Sequence, residues 1–263
     1  MTWNLWWRFG PWEARQAAIA TVLEEQDADI VCLQEVWAED NGADQAAVLA
    51  ESLGFHFART PSPYWNGVSF GNAVLSRGPI LGVESRHLPG ADGQPGHRTA
   101  LLAEVETSVG PVSVVSTHTE FRFDHSATRV GQLAAIARFV ADRRSNPDTA
   151  FPVIVAGDFN GVPDSDEIRQ FTGRSAPAVP GLVFQDAWEL SGQAGSPGYT
   201  WNGANPYLAD SVWPNRRIDY VMVSWPRPKT LGTPVRCWIA GDRPIGGIQP
   251  SDHYAVLAEL RTG

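Results

Sequence analysis

The sequence predicts an α+β chain in which two sheets pack face to face with helices outside. Three observations carry this expectation. Short apolar runs follow one another from about residue 55 to 117, separated by Gly- and Pro-rich turns such as Arg77-Gly-Pro. Segments with apolar residues at helical spacing are inserted between such runs rather than gathered at one end of the chain. No internal repeat, linker or low-complexity tract divides the 263 residues, so one domain spanning 1–263 is expected, long enough for a layered core.

Met1-Thr-Trp-Asn-Leu-Trp-Trp reads as a strand that begins almost at the first residue. Asn4 is a poor strand former among good ones, which marks it as having a specific partner. The strand is short ahead of Asn4, and a start codon upstream of Met1 is the corresponding expectation. From Trp12 or Glu13 to Gln26, the residues Ala18, Ile19, Val22 and Leu23 recur at helical spacing. Residues 29–33 predict a buried strand that runs into Gln34-Glu35, and 43–53 a helix ended by Gly54. Strands are then expected at about 55–59, 68–75, 80–87, 99–106 and 112–117. A helix over 126–143 has Val130, Leu133, Ala137 and Val140 as its stripe, with Asp124 or Ser126 as cap. The run 151–156 is a buried strand that leads into Gly157-Asp158-Phe159-Asn160. A short helix near 165–171 and strands at about 183–187, 218–224, 235–240 and 254–260 complete the set. Residues 191–215 are irregular and rich in Gly, Pro, Asn and Trp, and loops that long are more often functional than accidental.

Composition narrows the function classes. Lys plus Arg number 20 against 29 Asp plus Glu, a formal charge of −9. That balance argues against non-specific polyphosphate binding through a basic face, while leaving room for a local basic cleft. The two cysteines, Cys32 and Cys237, offer neither a disulfide framework nor the spacing of a thiolate metal site. No apolar run approaches the length of a transmembrane helix and no secretory signal is visible, so a cytoplasmic protein is expected. Tryptophan is abundant at 11, and Trp6, Trp7, Trp12, Trp37, Trp65 and Trp213 sit beside Gly, Pro or Asn or outside periodic segments. Such residues line binding surfaces or plug gaps under loops.

The informative pattern is where polar residues interrupt or end apolar runs. Asn4, Glu35, His118, Asp158, Asn160, Asp219, Asp252 and His253 all do so. Asp158 and Asn160 are two apart, so on an extended chain they face the same side. Strand ends along one edge of a sandwich converge, and carboxylates with Asn and His but no Cys suit a hard cation such as Mg²⁺ or Mn²⁺. Each residue also has a plainer reading. Asn4 and Glu35 could cap turns, His118 could be a satisfied core histidine, and Asp219 could pair with a neighbouring Arg. Asp252 and His253 reach one site only if residues 251–253 form the loop that enters the following strand, which Pro250 favours.

Seven segments in order, Thr2-Trp-Asn4, Leu33-Gln-Glu35, Gly71-Asn-Ala-Val-Leu-Ser76, Ser116-Thr-His118, Gly157-Asp-Phe-Asn160, Arg217-Ile-Asp219 and Ser251-Asp-His253, resemble the endonuclease/exonuclease/phosphatase superfamily. This superfamily includes pancreatic-type deoxyribonucleases, abasic-site endonucleases, sphingomyelinases and inositol polyphosphate phosphatases. The resemblance implies a four-layer α/β/β/α sandwich of two mainly antiparallel sheets with the site at one end. It implies Glu35 as principal carboxylate ligand of Mg²⁺ or Mn²⁺, aided by Asn4 and Asp252. Asp158 would orient or deprotonate the attacking water, and Asn160 would hold that water and a phosphate oxygen. Asp219 would orient His253 and favour its imidazolium, His118 would donate to a phosphate oxygen, and Asn72 would also touch phosphate. Whether Asp158 or His253 is the base stays open.

Leu5 and Trp6 after Asn4, Val36-Trp37 after Glu35, and Ser116-Thr-His118 depart from the abasic-site pattern and demote repair-type cleavage. The leading expectation is a metal-dependent phosphoesterase acting by in-line water attack on a small or lipid-derived phosphodiester. A nuclease for DNA or RNA is the alternative, with Arg122, Arg129, Arg216 and Arg217 as a local basic strip. A binding module that keeps the fold without catalysis is the third reading. Residues 60–67, 121–125 and 191–215 are the expected substrate-choosing loops, with Phe121-Arg-Phe-Asp-His125 foremost; a helix-entering staple is its plainer reading.

Overall fold

The computed structural model describes residues 1–60, 63–228 and 230–263, with backbone alone for 63–65. Along the first half the elements are β1 (Thr2–Asn4), α1 (Trp12–Gln26), β2 (Ile30–Glu39), α2 (Gln45–Leu53), β3 (His56–Arg59), β4 (Pro63–Trp65), β5 (Val68–Ser76) and β6 (Ile80–Pro89). The chain continues through β7 (Pro95–Thr107), β8 (Gly110–His118), α3 (Ser126–Arg143), β9 (Ile154–Asp158), α4 (Asp166–Phe171) and β10 (Val183–Asp186). It closes with α5 (Ala187–Ser191), β11 (Asp219–Trp225), β12 (Pro234–Ala240) and β13 (Ala255–Leu260).

Two sheets result. One is ordered β12-β13-β1-β2-β5-β3, with β4 also on β5, and the other β10-β11-β9-β8-β7-β6. Pairing is antiparallel except for β1 with β2 and β8 with β9. A parallel pair needs a crossover, and α1 and α3 supply the two, each covering the outer face of its own sheet. Three apolar clusters fill the three interfaces of the four layers. Ile19, Val22, Leu23 and Leu49 of α1 and α2 pack on Trp3, Leu33 and Leu75. Leu133, Ile136, Val140 and Phe171 of α3 and α4 pack on Val115, Val155 and Phe184. Cys32, Val74, Leu101, Val114, Ala156 and Val221 meet between the sheets. The expected four-layer sandwich is the observed one.

Local chemistry sets several boundaries. The Asp44 side chain accepts from Ala47 N at 3.2 Å to cap α2, and Gly54 closes the helix at φ 67°, where a Cβ would be strained. Neither expected cap starts α3: the N-cap is His125, without a side-chain bond, and Ser126 Oγ donates instead to Glu167 Oε2. β2 runs past its expected end to Glu39, with a register shift between Leu33 and Val36. The expected loop 60–67 contains β4, while Pro61, Ser62 and the side chains of 63–65, Trp65 included, lie outside the described residues. Among the described residues, no helix is long and apolar enough to cross a membrane.

A cavity of about 910 Å³ opens between the sheets, lined by Cys32, Val114, Ile154, Ala156 and Leu257. Cys32 and Ile154 lie near the starts of β2 and β9, whereas Asp158 ends β9, and neither Asp158 nor His118 lines this cavity.

Candidate active site

Strand register assembles the centre. Parallel β8 and β9 set His118 beside Asp158, and antiparallel β11 sets Asp219 on the other side of the same residue. On the facing sheet, β1 places Asn4 opposite Gln34, one residue before Glu35. The sheets are joined at this level by Asn4 Nδ2, which donates to Asp158 Oδ2 at 3.1 Å. Residues 251–253 form the loop before β13, as convergence required. Ser251 Oγ donates to Asn4 O at 2.7 Å, and His253 O accepts from Trp3 Nε1 at 3.0 Å.

The His253 ring then meets two carboxylates: its Nδ1 lies 2.9 Å from Asp219 Oδ2 and its Nε2 3.9 Å from Asp158 Oδ2. Burial pushes the imidazole pKa down, but the Asp219, Asp158 and Asp252 charges outweigh it and hold it well above the usual histidine value. Asp219 pairs with this histidine and not with its neighbour Arg217, which goes to Asp186. His118 is the opposite case. Its Nδ1 lies 2.9 Å from Arg98 Nη1, and a guanidinium can only donate, so Nδ1 is the acceptor and Nε2 carries the proton. Burial and then the Arg98 charge hold its pKa well below the ordinary value. The neutral ring presents Nε2–H 3.4 Å from Asp158 Oδ2.

Asp158 accepts from Asn160 N at 2.9 Å through Oδ1, and burial followed by the nearby Asp219 charge pushes its pKa up to about 6. Asn160 reaches the centre by a route other than strand alternation. The strand stops at Asp158, and Asn160 sits at φ 49° with its Nδ2 donating to Thr119 O at 3.3 Å.

Glu35 occupies the irregular step in β2 at φ 55°, a costly conformation for glutamate that re-aims its side chain out of the strand's alternation. Its Oε2 is buried without a hydrogen-bond partner. Burial, and next the charge of Asp252, push the Glu35 pKa up to about 7. A buried, unpartnered carboxylate oxygen beside a second carboxylate is the donor chemistry that a hard divalent cation satisfies, so the residues fit Mg²⁺ or Mn²⁺. Asn4 Oδ1 accepts from Trp6 N at 2.9 Å, which leaves one lone pair for such an ion. A second cluster, Asp158, Asp219 and His253, also brings its ligand atoms within 4.8 Å of one another. The donor sets on the Glu35 side and in this cluster therefore each have the chemistry to hold a cation.

Asn72 corrects its expected role. Its Nδ2 donates to Thr99 O at 2.9 Å and Thr99 Oγ1 at 3.1 Å, which uses both amide hydrogens and leaves none for a phosphate oxygen. It braces the two sheets, as Gln34 Nε2 does by donating to Ser116 Oγ at 3.2 Å. The expected basic strip is also revised. Arg129 and Arg217 are buried and paired to Glu167 and Asp186, while Arg122 and Arg216 reach the rim.

Several contributors had not been singled out in the sequence. Arg98, which fixes the His118 tautomer, had one signal, a charge just ahead of the apolar run in β7. Thr200 Oγ1 accepts from Ile218 N and Asp219 N, both at 3.2 Å. Asn205 Nδ2 donates to Ser251 O at 2.8 Å and Asp252 O at 3.1 Å. The long loop therefore positions Asp219 and the 251–253 turn from buried residues, and no local pattern marks this. Arg15 belongs with them, donating to Leu5 O at 2.7 Å and Pro250 O at 2.8 Å.

A family model described as Endonuclease/Exonuclease/phosphatase family matches residues 1–253. Protein angel homolog 2 of Danio rerio is 32% identical over 167 residues, 60% of this chain and 29% of that protein. Uncharacterized protein YbhP of Escherichia coli K12 is 35% identical over 144 residues, 51% of this chain and 54% of that one. The match thus spans from under a third to about half the length of these relatives. Among solved structures, Danio rerio TDP2 complexed with single strand DNA product has a TM-score of 0.75 at 20% identity, covering 98% of this chain and 96% of that one.

Proposed function

This chain belongs to the endonuclease/exonuclease/phosphatase family, and on that premise we propose that it hydrolyses a phosphodiester by in-line attack of water, with Mg²⁺ or Mn²⁺ as cofactor. The observation that carries the reading is Asp158, a buried carboxylate flanked by Asn4, His118 and the His253–Asp219 pair. A carboxyl pushed up to about 6 is matched to taking a proton near neutral pH, which supports Asp158 over the charged His253 as the base in this reading. Asn160 N–H holds Oδ1 of that carboxylate, while Oδ2 accepts from Asn4 Nδ2 and faces the rings of His118 and His253. His118 Nε2–H and the His253 imidazolium donate to the non-bridging oxygens, where charge accumulates as water oxygen bonds to phosphorus and the ester oxygen departs. Glu35 and Asp252, with Asn4, would hold the cation, which when bound neutralises phosphoryl charge.

Nucleic acid stays among the candidate diesters, supported by the single strand DNA product held by the Danio rerio TDP2 structure. A cytoplasmic location is part of the same proposal, supported by two free, buried thiols at Cys32 and Cys237.

The test is turnover of bis-p-nitrophenyl phosphate against p-nitrophenyl phosphate with Mg²⁺, Mn²⁺ or chelator. Metal-dependent cleavage of the diester is expected to exceed that of the monoester. Asp158→Asn and His253→Ala should each lower it by about 100-fold or more with an unchanged circular dichroism spectrum. Glu35→Gln should weaken calorimetric Mn²⁺ binding at least about tenfold. No turnover and no Mn²⁺ binding in the parent protein would leave the non-catalytic binding module.

A further inference from the structure

Asp219 and His253 belong to different sheets. Asp219 opens β11, His253 precedes β13, and the 2.9 Å contact between their side chains spans the sandwich. Sheet register does not fix that distance, because residues 249–253 lie outside the paired strands. Their backbone is held instead by side chains from elsewhere. Gln249 O accepts from Tyr207 Oη at 2.9 Å, and Pro250 O from Arg15 Nη1 at 2.8 Å. Ser251 O and Asp252 O both accept from Asn205 Nδ2, at 2.8 and 3.1 Å, and His253 O accepts from Trp3 Nε1 at 3.0 Å. Every carbonyl from Gln249 to His253 thus meets a side-chain donor, and Asn205 and Tyr207 serve the majority of them.

The loop that supplies these two residues is closed on itself. Trp201 N donates to Arg216 O at 3.0 Å and Arg216 N to Trp201 O at 2.8 Å, so residues 201–216 leave and return through one neck. That neck touches the other member of the pair. Thr200 Oγ1 accepts from Asp219 N at 3.2 Å, and Thr200 O accepts from Tyr254 N at 2.7 Å. Within the loop, Asn205 is fully buried, and its Oδ1 caps the turn 206–208 by accepting from Tyr207 N at 3.1 Å. The Tyr207 ring lies 4.5 Å from that of Trp6, on the segment that follows Asn4. Both amide hydrogens of Asn205 are committed to the 251–252 backbone, so it has none to offer a substrate.

We propose that Asn205, assisted by Tyr207, is a positioning residue of the hydrolytic centre, which sets the 251–252 peptide planes and through them the directions of the Asp252 and His253 side chains. The inference rests on the hydrolytic reading and adds to it a residue that acts only through others. Without the Asn205 donors two carbonyls of an enclosed turn lose their partners, and the turn relieves this by rotating those peptide planes toward water or another donor. Such a rotation swings the Asp252 carboxylate and tilts the His253 ring away from Asp158 and Asp219. A shift of about 1 Å at a reacting group costs up to about 100-fold in rate, and loss of a partner that orients metal ligands costs about 10- to 100-fold in affinity. The geometry therefore assigns to this loop the assembly of the centre as well as its cover.

Asn205→Ser separates the clamp from the loop's own fold, since serine caps a turn as asparagine does but is too short to reach both carbonyls. With bis-p-nitrophenyl phosphate and saturating Mn²⁺, kcat should fall about tenfold or more while KM stays within about twofold. Calorimetric Mn²⁺ affinity should fall about tenfold. Tyr207→Phe, which removes the bond to Gln249 O, should give a smaller loss of the same kind, and Val212→Ala, exposed in the same loop, should give none. A readout free of metal and turnover is the proton NMR line of His253 Nδ1–H, which the bond to Asp219 moves far downfield. In EDTA this line should shift or broaden in Asn205→Ser. A lower Tm with kcat, Mn²⁺ affinity and the line all unchanged would make Asn205 a support of the fold alone and overturn the proposal. A raised KM with unchanged kcat would overturn it too, by placing Asn205 in substrate binding. If Asn205→Ser does not fold, Tyr207→Phe carries the same comparison. A parent protein without diester turnover or Mn²⁺ binding, whose His253 line still depends on Asn205, would sink the hydrolytic reading alone. Turnover in the parent with kcat and line independent of Asn205 would sink the clamp alone.

Discussion

Glu35 and Asp158 hold protons in the folded, metal-free chain that the unfolded chain releases. Burial and then Asp252 push Glu35 from 4.5 up to about 7, and burial and then Asp219 push Asp158 from 3.8 up to about 6. A carboxyl whose folded pKa is raised makes the folded state bind more protons between the two values, so stability falls as pH rises through that interval. His253 acts in the same direction: its contribution is full below the unfolded value of 6.5 and is lost as pH rises through the higher folded value. His118, held below its ordinary value, acts in the opposite sense up to about pH 6.5, so the fall is read above that point: the metal-free protein should melt a few degrees lower at pH 8 than at pH 6.5. Saturating Mn²⁺ competes with the Glu35 proton and should raise Tm more at pH 8 than at pH 6.5. Scanning calorimetry with and without chelator checks both, and a Tm that climbs from pH 6.5 to pH 8 without metal would refute the assignment. The residues of this centre were legible in the sequence to unequal degrees. Asp158 and His118 end their strands and Asp219 opens the antiparallel neighbour, so sheet register alone brings them together. Asn72 read as a phosphate contact because its surroundings resembled one, yet its direction depends on Thr99 across the sandwich. Arg98 and Thr200 matter through what crosses their loops, and that is a tertiary fact with no local pattern.

At the scale of elements, α1 does more than cover a sheet. Its Arg15 is fully buried and donates to the carbonyl oxygens of Leu5, Trp6, Trp7, Phe9 and Pro250 at 2.7–3.1 Å. The first four belong to the loop after Asn4, and Pro250 precedes the turn that bears Asp252 and His253. One guanidinium thus ties together the two loops that carry candidate ligands. Trp6 and Trp7 take φ 57° and 34°, a backbone course these carbonyl bonds help to fix. Lysine has three donors and cannot serve five acceptors. Arg15→Lys should cost about 2–4 kcal/mol of stability and weaken calorimetric Mn²⁺ affinity as well as turnover. Lower stability with unchanged Mn²⁺ affinity would show that Arg15 supports the fold but not the centre. Helical periodicity located α1 in the sequence, but a charged residue in an amphipathic helix reads by default as solvent-facing, and only the loops it gathers reveal otherwise. Strand extents were missed for a similar reason. β2 passes through an irregular step at Gln34 and Glu35, and a local apolar run cannot show pairing that resumes beyond it.

For the whole molecule, the main fact is that the centre is drawn from both ends of the chain. Trp3 Nε1 bonds His253 O across 250 residues of sequence, Ser251 Oγ bonds Asn4 O across 247, and Thr2 pairs with Val256. Contacts this distant in sequence are slow to form, because loop closure must precede any gain from them. On dilution from denaturant, helical ellipticity should return before hydrolytic activity, with activity the last signal to recover. Simultaneous recovery of both in stopped-flow dichroism and a continuous nitrophenol assay would contradict this order.

That long-range closure also bears on how the chain is made. Synthesis proceeds at about 5–20 residues per second and earlier segments fold while later ones are still awaited. His253 and the strand that follows it join Asn4 only after nearly all other elements have emerged. A nascent chain therefore lacks His253 and Asp252, and with them half of the candidate centre, until almost the last moment of synthesis. The centre closes as a late, single event, and every earlier folding stage is one in which Asn4 and Asp158 are without their partners from the far end of the chain.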